Sequence, residues 1–161
     1  MCELTGCNMN STELSGLFKE GFFLSDLISS SKEEILEELV QPLVDAGQIK
    51  SKDLVLETLI KRETLGSTSI GKEVAIPHCR TLVTSSIHIV AGISRKGINF
   101  KAIDKKKVHL FFLIIAPPYE KSNLYLPILG KIVEMVRDAK IRKMLLKAKD
   151  FTSFIDIIQG G

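Results

Sequence analysis

Arg62-Glu63-Thr64-Leu65-Gly66-Ser67-Thr68-Ser69-Ile70-Gly71-Lys72-Glu73-Val74-Ala75-Ile76-Pro77-His78-Cys79-Arg80 is where this chain of 161 residues changes from helical to sheet-like patterning. The stretch opens on the fading end of an amphipathic helix and passes through a loop of Gly, Ser and Thr. It then enters a short apolar strand, 74–76, that stops at Pro77 with His78 just beyond it. Small residues let a loop turn its backbone N–H groups toward an anion. An imidazole with an ordinary pKa of about 6.5 is a neutral nucleophile near pH 7. Arg62 and Arg80 flank the stretch, and each can offer a planar fork of donors to a phosphate. The composition of the segment therefore points to phosphoryl chemistry at His78.

On the N-terminal side the pattern is helical. Ser31 followed by Glu34 predicts a capping box, and Ile35, Leu36, Leu39, Val40, Leu43 and Val44 form the apolar face behind it, with Pro42 expected to kink or shorten the helix. Ser51 opens a second helix whose last turns hold Lys61, Arg62 and Glu63. Residues 22–28 read as an edge strand or extended lead-in, and the polar residues 1–21 as a loosely ordered leader with room for one helical turn, before a single domain over 22–161. On the C-terminal side, β-branched residues at 87–93 predict a strand and 98–102 another, after a turn at Lys96-Gly97. The almost wholly apolar run 108–116 predicts a central strand covered on both faces. A helix starting near Asn123, one at 141–148 and one capped by Asp150 complete the order. Two helices, then strands, then three helices give a helix-flanked sheet of α/β or α+β type in a single domain.

Other function classes fit poorly. The net charge of +3 is too small to mark a nucleic-acid binder by itself. The basic C-terminal helices read as a solvated face, since no aromatic platform is interleaved with their charges. No run approaches the roughly 20 apolar residues of a membrane span, and the N-terminus lacks the pattern of a secretory signal. Cys2, Cys7 and Cys79 form neither a disulfide framework nor a metal spacing, which places the chain in a reducing cytoplasm. The Gly-rich loop lacks the ending of a P-loop, no G-x-S-x-G elbow exists, and no acidic cluster offers a magnesium site. His88 and His109, inside predicted strands, read as structural.

The run Arg62-Glu63-x-Leu65-Gly66-Ser67-Thr68-x-Ile70-Gly71-x-x-Val74-Ala75-Ile76-Pro77-His78 resembles the active-site signature of type-2 EIIA domains of the bacterial phosphoenolpyruvate-dependent sugar phosphotransferase system. The likeness extends through 97–104, 108–117 and 126–136. It implies an α/β fold, a single domain with a mixed β-sheet flanked by helices on both faces, in which His78 accepts a phosphoryl group from the phosphocarrier HPr and passes it to a cysteine of an EIIB domain in fructose-type uptake. In the nitrogen-regulatory branch of the family, the phosphorylation state instead controls partner proteins. It further implies that Arg62 stabilises the charge in flight and that Ser67, Thr68, Tyr125 and Arg80 line the phosphoryl pocket. No metal, nucleotide or other cofactor is expected, and the domain is expected to sit beside a membrane transporter without spanning the bilayer. Three positions depart from the pattern: Tyr125 stands where a second histidine is common, and Glu73 and Cys79 where glycine is. Glu73 is expected to stiffen the loop and bring a negative charge toward the phosphate.

Overall fold

A computed structural model describes residues 9–160. Cys2, Cys7 and the first part of the expected leader lie outside the described residues. The sheet is built around the apolar run, which forms strand β6 (Val108–Ala116). Antiparallel to it runs β5 (His88–Ile98), and beyond β5 the short β1 (Phe23–Leu24) pairs parallel at the edge. On the other side of β6 lie two short parallel strands, β3 (Val74–Ala75) and β4 (His78–Arg80), and β2 (Ser69–Gly71) closes back on β3 as a hairpin. The order is β1-β5-β6-β3-β2, with β4 continuing β3 along the same flank of β6.

Alternation along β6 divides the core. Leu110, Phe112 and Ile114 point into one cluster with Leu14, Ile128, Ile132 and Phe154, while Phe111, Leu113 and Ile115 point into another with Leu36, Leu39, Val55 and Leu59. The first face is covered by α1 (Ser11–Ser15), α4 (Tyr125–Val136), α5 (Ala139–Lys147) and α6 (Phe151–Gly160). The second is covered by α2 (Lys32–Asp45) and α3 (Lys52–Thr64). Ser31 and Ser51 cap these two helices through their side chains, accepting from Glu34 N and Leu54 N. The first helix continues past Pro42 to Asp45, so the proline neither stops it nor shortens it.

Three expectations need correction. Residues 9–21 are not a loose leader: Asn10 and Glu13 cap α1 reciprocally, Leu14 is fully buried, and the Phe18 ring meets Phe112 and Phe154 edge-on. Leu14 and Phe18, with Met9 and Leu17 packed against the same cluster, tie this polar segment to the core, each fully buried side chain contributing about 1.5–3 kcal/mol. The separate strand expected at 98–102 does not form. Gly97, at φ 77°, lets β5 run on irregularly until Ile98 pairs with Val108. A Cβ at Gly97 would sit 2.7 Å from the His109 ring. Beyond it Lys101 takes φ 55°, and Phe100 is buried against Phe111 and under the Lys32 ammonium rather than hydrogen-bonded in a ladder. Finally, the Gly-Ser-Thr loop is partly sheet, because its second half forms β2.

The β2–β3 hairpin turns on Lys72 and Glu73, at φ 57° and 68°. Left-handed residues at both turn positions suit the twist of a tight hairpin, yet side chains other than Gly and Asn resist that conformation by about 1–2 kcal/mol. Glu73→Gly is therefore expected to raise unfolding stability by about 0.5–1 kcal/mol after the entropic cost of glycine, or about 1–4 °C in Tm. Differential scanning calorimetry checks this; a lower Tm would show that the Glu73 side chain stabilises the turn.

Candidate functional site

His78 does not lie in a loop after the strand; it resumes the strand. Pro77 has no N–H and so interrupts the ladder between β3 and β4, but its carbonyl accepts from Ile114 N at 2.9 Å. His78 then pairs with Ile114, Cys79 with Ile115 and Arg80 with Ala116. The imidazole is half-buried, and its Nδ1 lies 2.7 Å from the carbonyl oxygen of Ile76. A carbonyl can only accept, so Nδ1 carries the proton and Nε2 keeps the free lone pair. The tautomer is thus set by the backbone two residues upstream.

Tyr125, the first residue of α4, stands beside this ring in an edge-on arrangement with centroids 6.2 Å apart. Burial pushes its phenol up to about 12, with the Arg80 and Arg62 charges pulling the other way. The hydroxyl therefore stays protonated and can donate to an anion. The Arg80 guanidinium lies 4.4 Å from the centre of the Tyr125 ring and donates to Pro118 O at 2.9 Å. Such stacking of a guanidinium on an aromatic face orients the fork and stabilises it by about 0.5–1 kcal/mol at exposed positions. Arg62, in the last turn of α3, donates to Gly66 O at 3.0 Å and so braces the entry to the loop. Tyr125 stands beside His78 and carries Arg80 on its face, and the Arg62 charge lies near enough to act on the Tyr125 phenol.

Ser67 and Thr68 are placed differently. The Ser67 hydroxyl donates to Phe100 O at 2.9 Å, and its oxygen accepts from Ser69 N. Thr68 is buried, and both its N–H and its hydroxyl donate to the Glu63 carboxylate. The carbonyl of Thr68 accepts from Ile76 N at 3.1 Å, and it is the Ile76 carbonyl that holds the imidazole. These two residues fasten the loop to the histidine's strand. Glu63 is the member that sequence reasoning missed. Its carboxylate is 2.6 Å from Lys32 Nζ, with the two side chains only 6% and 13% exposed. The available signal was an acid in the last turn of a helix, where the dipole disfavours an anion.

Glu73 is not near His78. Its carbonyl accepts from His109 N and Leu110 N, and its carboxylate is 3.9 Å from His109 Nε2. Since His78 pairs with Ile114, strand rise separates the two by about 15 Å. The expectation that Glu73 brings negative charge to the phosphate is therefore corrected, while its hold on the hairpin stands. Cys79 packs among apolar residues, and burial pushes its thiol up to about 12. His88 Nε2 meets the hydroxyls of Thr84 at 3.1 Å and Ser86 at 3.3 Å, and His109 Nδ1 meets Ser94 O at 2.8 Å. Both are structural, as expected.

The fold is a mixed sheet with helices on both faces, and on one flank of its central strand it carries a half-buried histidine whose tautomer is set by Ile76 O and whose neighbour Tyr125 is stacked by Arg80. The family follows from comparison with known proteins. Residues 16–160 match the model described as "Phosphoenolpyruvate-dependent sugar phosphotransferase system, EIIA 2", and the chain belongs to that family, whose domains are phosphotransfer components. It is 33% identical over 130 residues to the fructose-specific EIIABC component of Bacillus subtilis, covering 81% of this chain but only 20% of that protein. It is 30% identical over 129 residues to the fructose-specific EIIA component of Haloferax volcanii, covering 80% of this chain and 83% of the relative. Among solved structures, the nitrogen regulatory protein IIA-Ntr of Neisseria meningitidis superposes with a TM-score of 0.82 at 27% identity, over 90% of this chain and 98% of that one. Among the described residues, no helix is long and apolar enough to cross a membrane.

Proposed function

We propose that this protein is a cytoplasmic phosphocarrier that takes a phosphoryl group from phospho-HPr on Nε2 of His78 and hands it to a cysteine of an EIIB domain in fructose-type sugar uptake. The observation that carries this reading is the 2.7 Å contact from Nδ1 to Ile76 O, which leaves Nε2 as the nucleophile. In the first transfer the lone pair of Nε2 forms the new P–N bond as the donor's P–N bond breaks and the donor imidazole departs. The acceptor ring gains positive character, and the Nδ1–H to carbonyl bond strengthens in response. Arg62 and Arg80 offset charge on the phosphoryl oxygens, and the neutral Tyr125 hydroxyl donates to one of them. In the second transfer a thiolate attacks phosphorus and the imidazole leaves with its lone pair restored. The exposed apolar side chains of Leu65, Leu82, Tyr119 and Leu126, neighbours in sequence of the site residues, suit protein donors and acceptors rather than a small sugar. In the Bacillus subtilis relative, A, B and C components share one chain by name. A second reading, a nitrogen-regulatory EIIA whose phosphate acts as a switch, draws on the likeness to IIA-Ntr.

Incubation with phosphoenolpyruvate, enzyme I and HPr, followed by phosphorus NMR at alkaline pH, tests the carrier step common to both readings. A phosphohistidine resonance is expected; none with a competent HPr would end both. Arg62→Ala is expected to fold and to accept phosphate about 100-fold more slowly, the scale of losing one charge-stabilising donor. Stopped-time labelling measures this, and an unchanged rate would remove Arg62 from the mechanism.

A further inference from the structure

The charge of this molecule is concentrated at one pole. Between Arg137 and Lys149 stand six cations and one acid, a local charge of +5 in a chain whose total is +3. The remainder of the chain is therefore net negative. Asp138 is occupied in capping α5, and Arg142 in donating to the carbonyls of Val136 and Arg137. The lysines are exposed, and among the described residues no salt bridge engages those of α5 or Lys149. At 3.6 residues per turn, Lys140, Lys143 and Lys147 fall within an arc of about 60°, with Met144 alongside. That methionine is 44% exposed.

The end of α5 is tied to the sheet, because the Arg95 guanidinium donates to the carbonyls of Leu146 and Ala148. Residue 95 lies toward the end of β5 at which Ile98 pairs with Val108, and the exposed Lys105, Lys106 and Lys107 lead into β6 at that same end. His78 pairs with Ile114, about 20 Å further along the strand. Two lysine groups from separate segments thus lie toward the end of the sheet opposite the histidine.

Their chemistry discriminates among acidic partners. Specific protein interfaces favour Arg and aromatic side chains and are depleted in Lys. Single-stranded nucleic acid needs stacking platforms, which are absent here. Flexible, strongly hydrated ammonium groups around an exposed thioether suit a diffuse layer of anionic headgroups, with lysine stems and methionine at its boundary. We propose that this lysine pole docks the protein on an anionic lipid bilayer and leaves His78 facing the aqueous side. The proposal stands whether or not His78 is the phosphoryl acceptor.

The test is co-sedimentation of the whole chain with vesicles of phosphatidylcholine alone or mixed with phosphatidylglycerol. Binding is expected only to the mixed vesicles. It should be released on moving from 0.1 M to 1 M salt, which shortens the screening length from about 10 Å to about 3 Å. Lys143→Gln/Lys147→Gln/Lys149→Gln should weaken it about a hundredfold, whereas Lys50→Gln/Lys61→Gln/Lys121→Gln should bind as wild type does. The proposal is overturned by failure to bind anionic vesicles at low salt, by equal loss in the two triple variants, or by tighter binding to polyglutamate or a short DNA duplex than to the vesicles.

Discussion

His78→Ala is expected to remain folded and to lose phosphoryl incorporation down to background. The ring is half-buried, and its contacts are one hydrogen bond to Ile76 O and the edge of Tyr125, so its removal costs the domain about 1 kcal/mol. The chemical loss is total because the neighbouring nucleophile cannot substitute: the Cys79 thiol is buried and neutral, pushed up to about 12. His88→Gln and His109→Gln should both keep full incorporation, since those rings are held by Thr84, Ser86 and Ser94 away from the cluster. Nitrogen-15 NMR of the labelled wild type should place phosphorus on Nε2 with Nδ1 still protonated. Label persisting in the alanine variant, or phosphorus on Nδ1, would refute the assignment.

The second large effect is expected away from the imidazole. Glu63→Ala removes the carboxylate that holds Lys32 and both donors of Thr68. Lys32 would be left with Phe100 O at 3.4 Å and the face of the Phe100 ring at 4.4 Å, poor substitutes for a paired carboxylate. Breaking one side of a buried pair costs about 3–5 kcal/mol, so urea unfolding should shift to much lower denaturant. Transfer should slow as well, because Thr68 holds Ile76 and Ile76 holds the ring. Lys32→Met/Glu63→Met separates the two consequences. It should recover most of the stability, as apolar replacements of buried pairs do, yet remain slow, because Thr68 N–H has lost its acceptor. A double variant that is both stable and fast would show that this chain of hydrogen bonds does not position His78.

How much of this was legible varied with the physics. The 108–116 run declared a central strand because a strand buried on both faces admits almost no polar residue. Ser31 and Ser51 declared helix starts because few side chains can serve the orphan N–H groups there. His78, Arg62 and Arg80 stood out from the composition of one stretch, whereas Tyr125 was readable only through the family pattern, since α4 and β4 meet through the fold rather than along the chain. Residues 9–21 misled because a largely polar segment is anchored by a few apolar residues, Leu14 and Phe18 with Met9 and Leu17 packed beside them. The strand expected at 98–102 failed because one left-handed lysine and one buried ring outweighed local β preference. Ser67 and Thr68 carry the right groups for an anion, but which acceptor those groups serve depends on Glu63 and Phe100, and no spacing in the sequence reports that.

The pairing of β4 with β6 has a consequence for motion. Segments that open independently of the rest of a protein have few buried contacts and exposed backbone hydrogen bonds. His78 is bonded instead into the most deeply covered strand of the molecule, and its ring is clamped by the same stretch of backbone. The imidazole is therefore tethered twice, through its backbone to β6 and through its ring to Ile76 O. A ring held at both points keeps its Nε2 in one position relative to the central strand, so a partner meeting it would find that atom already placed.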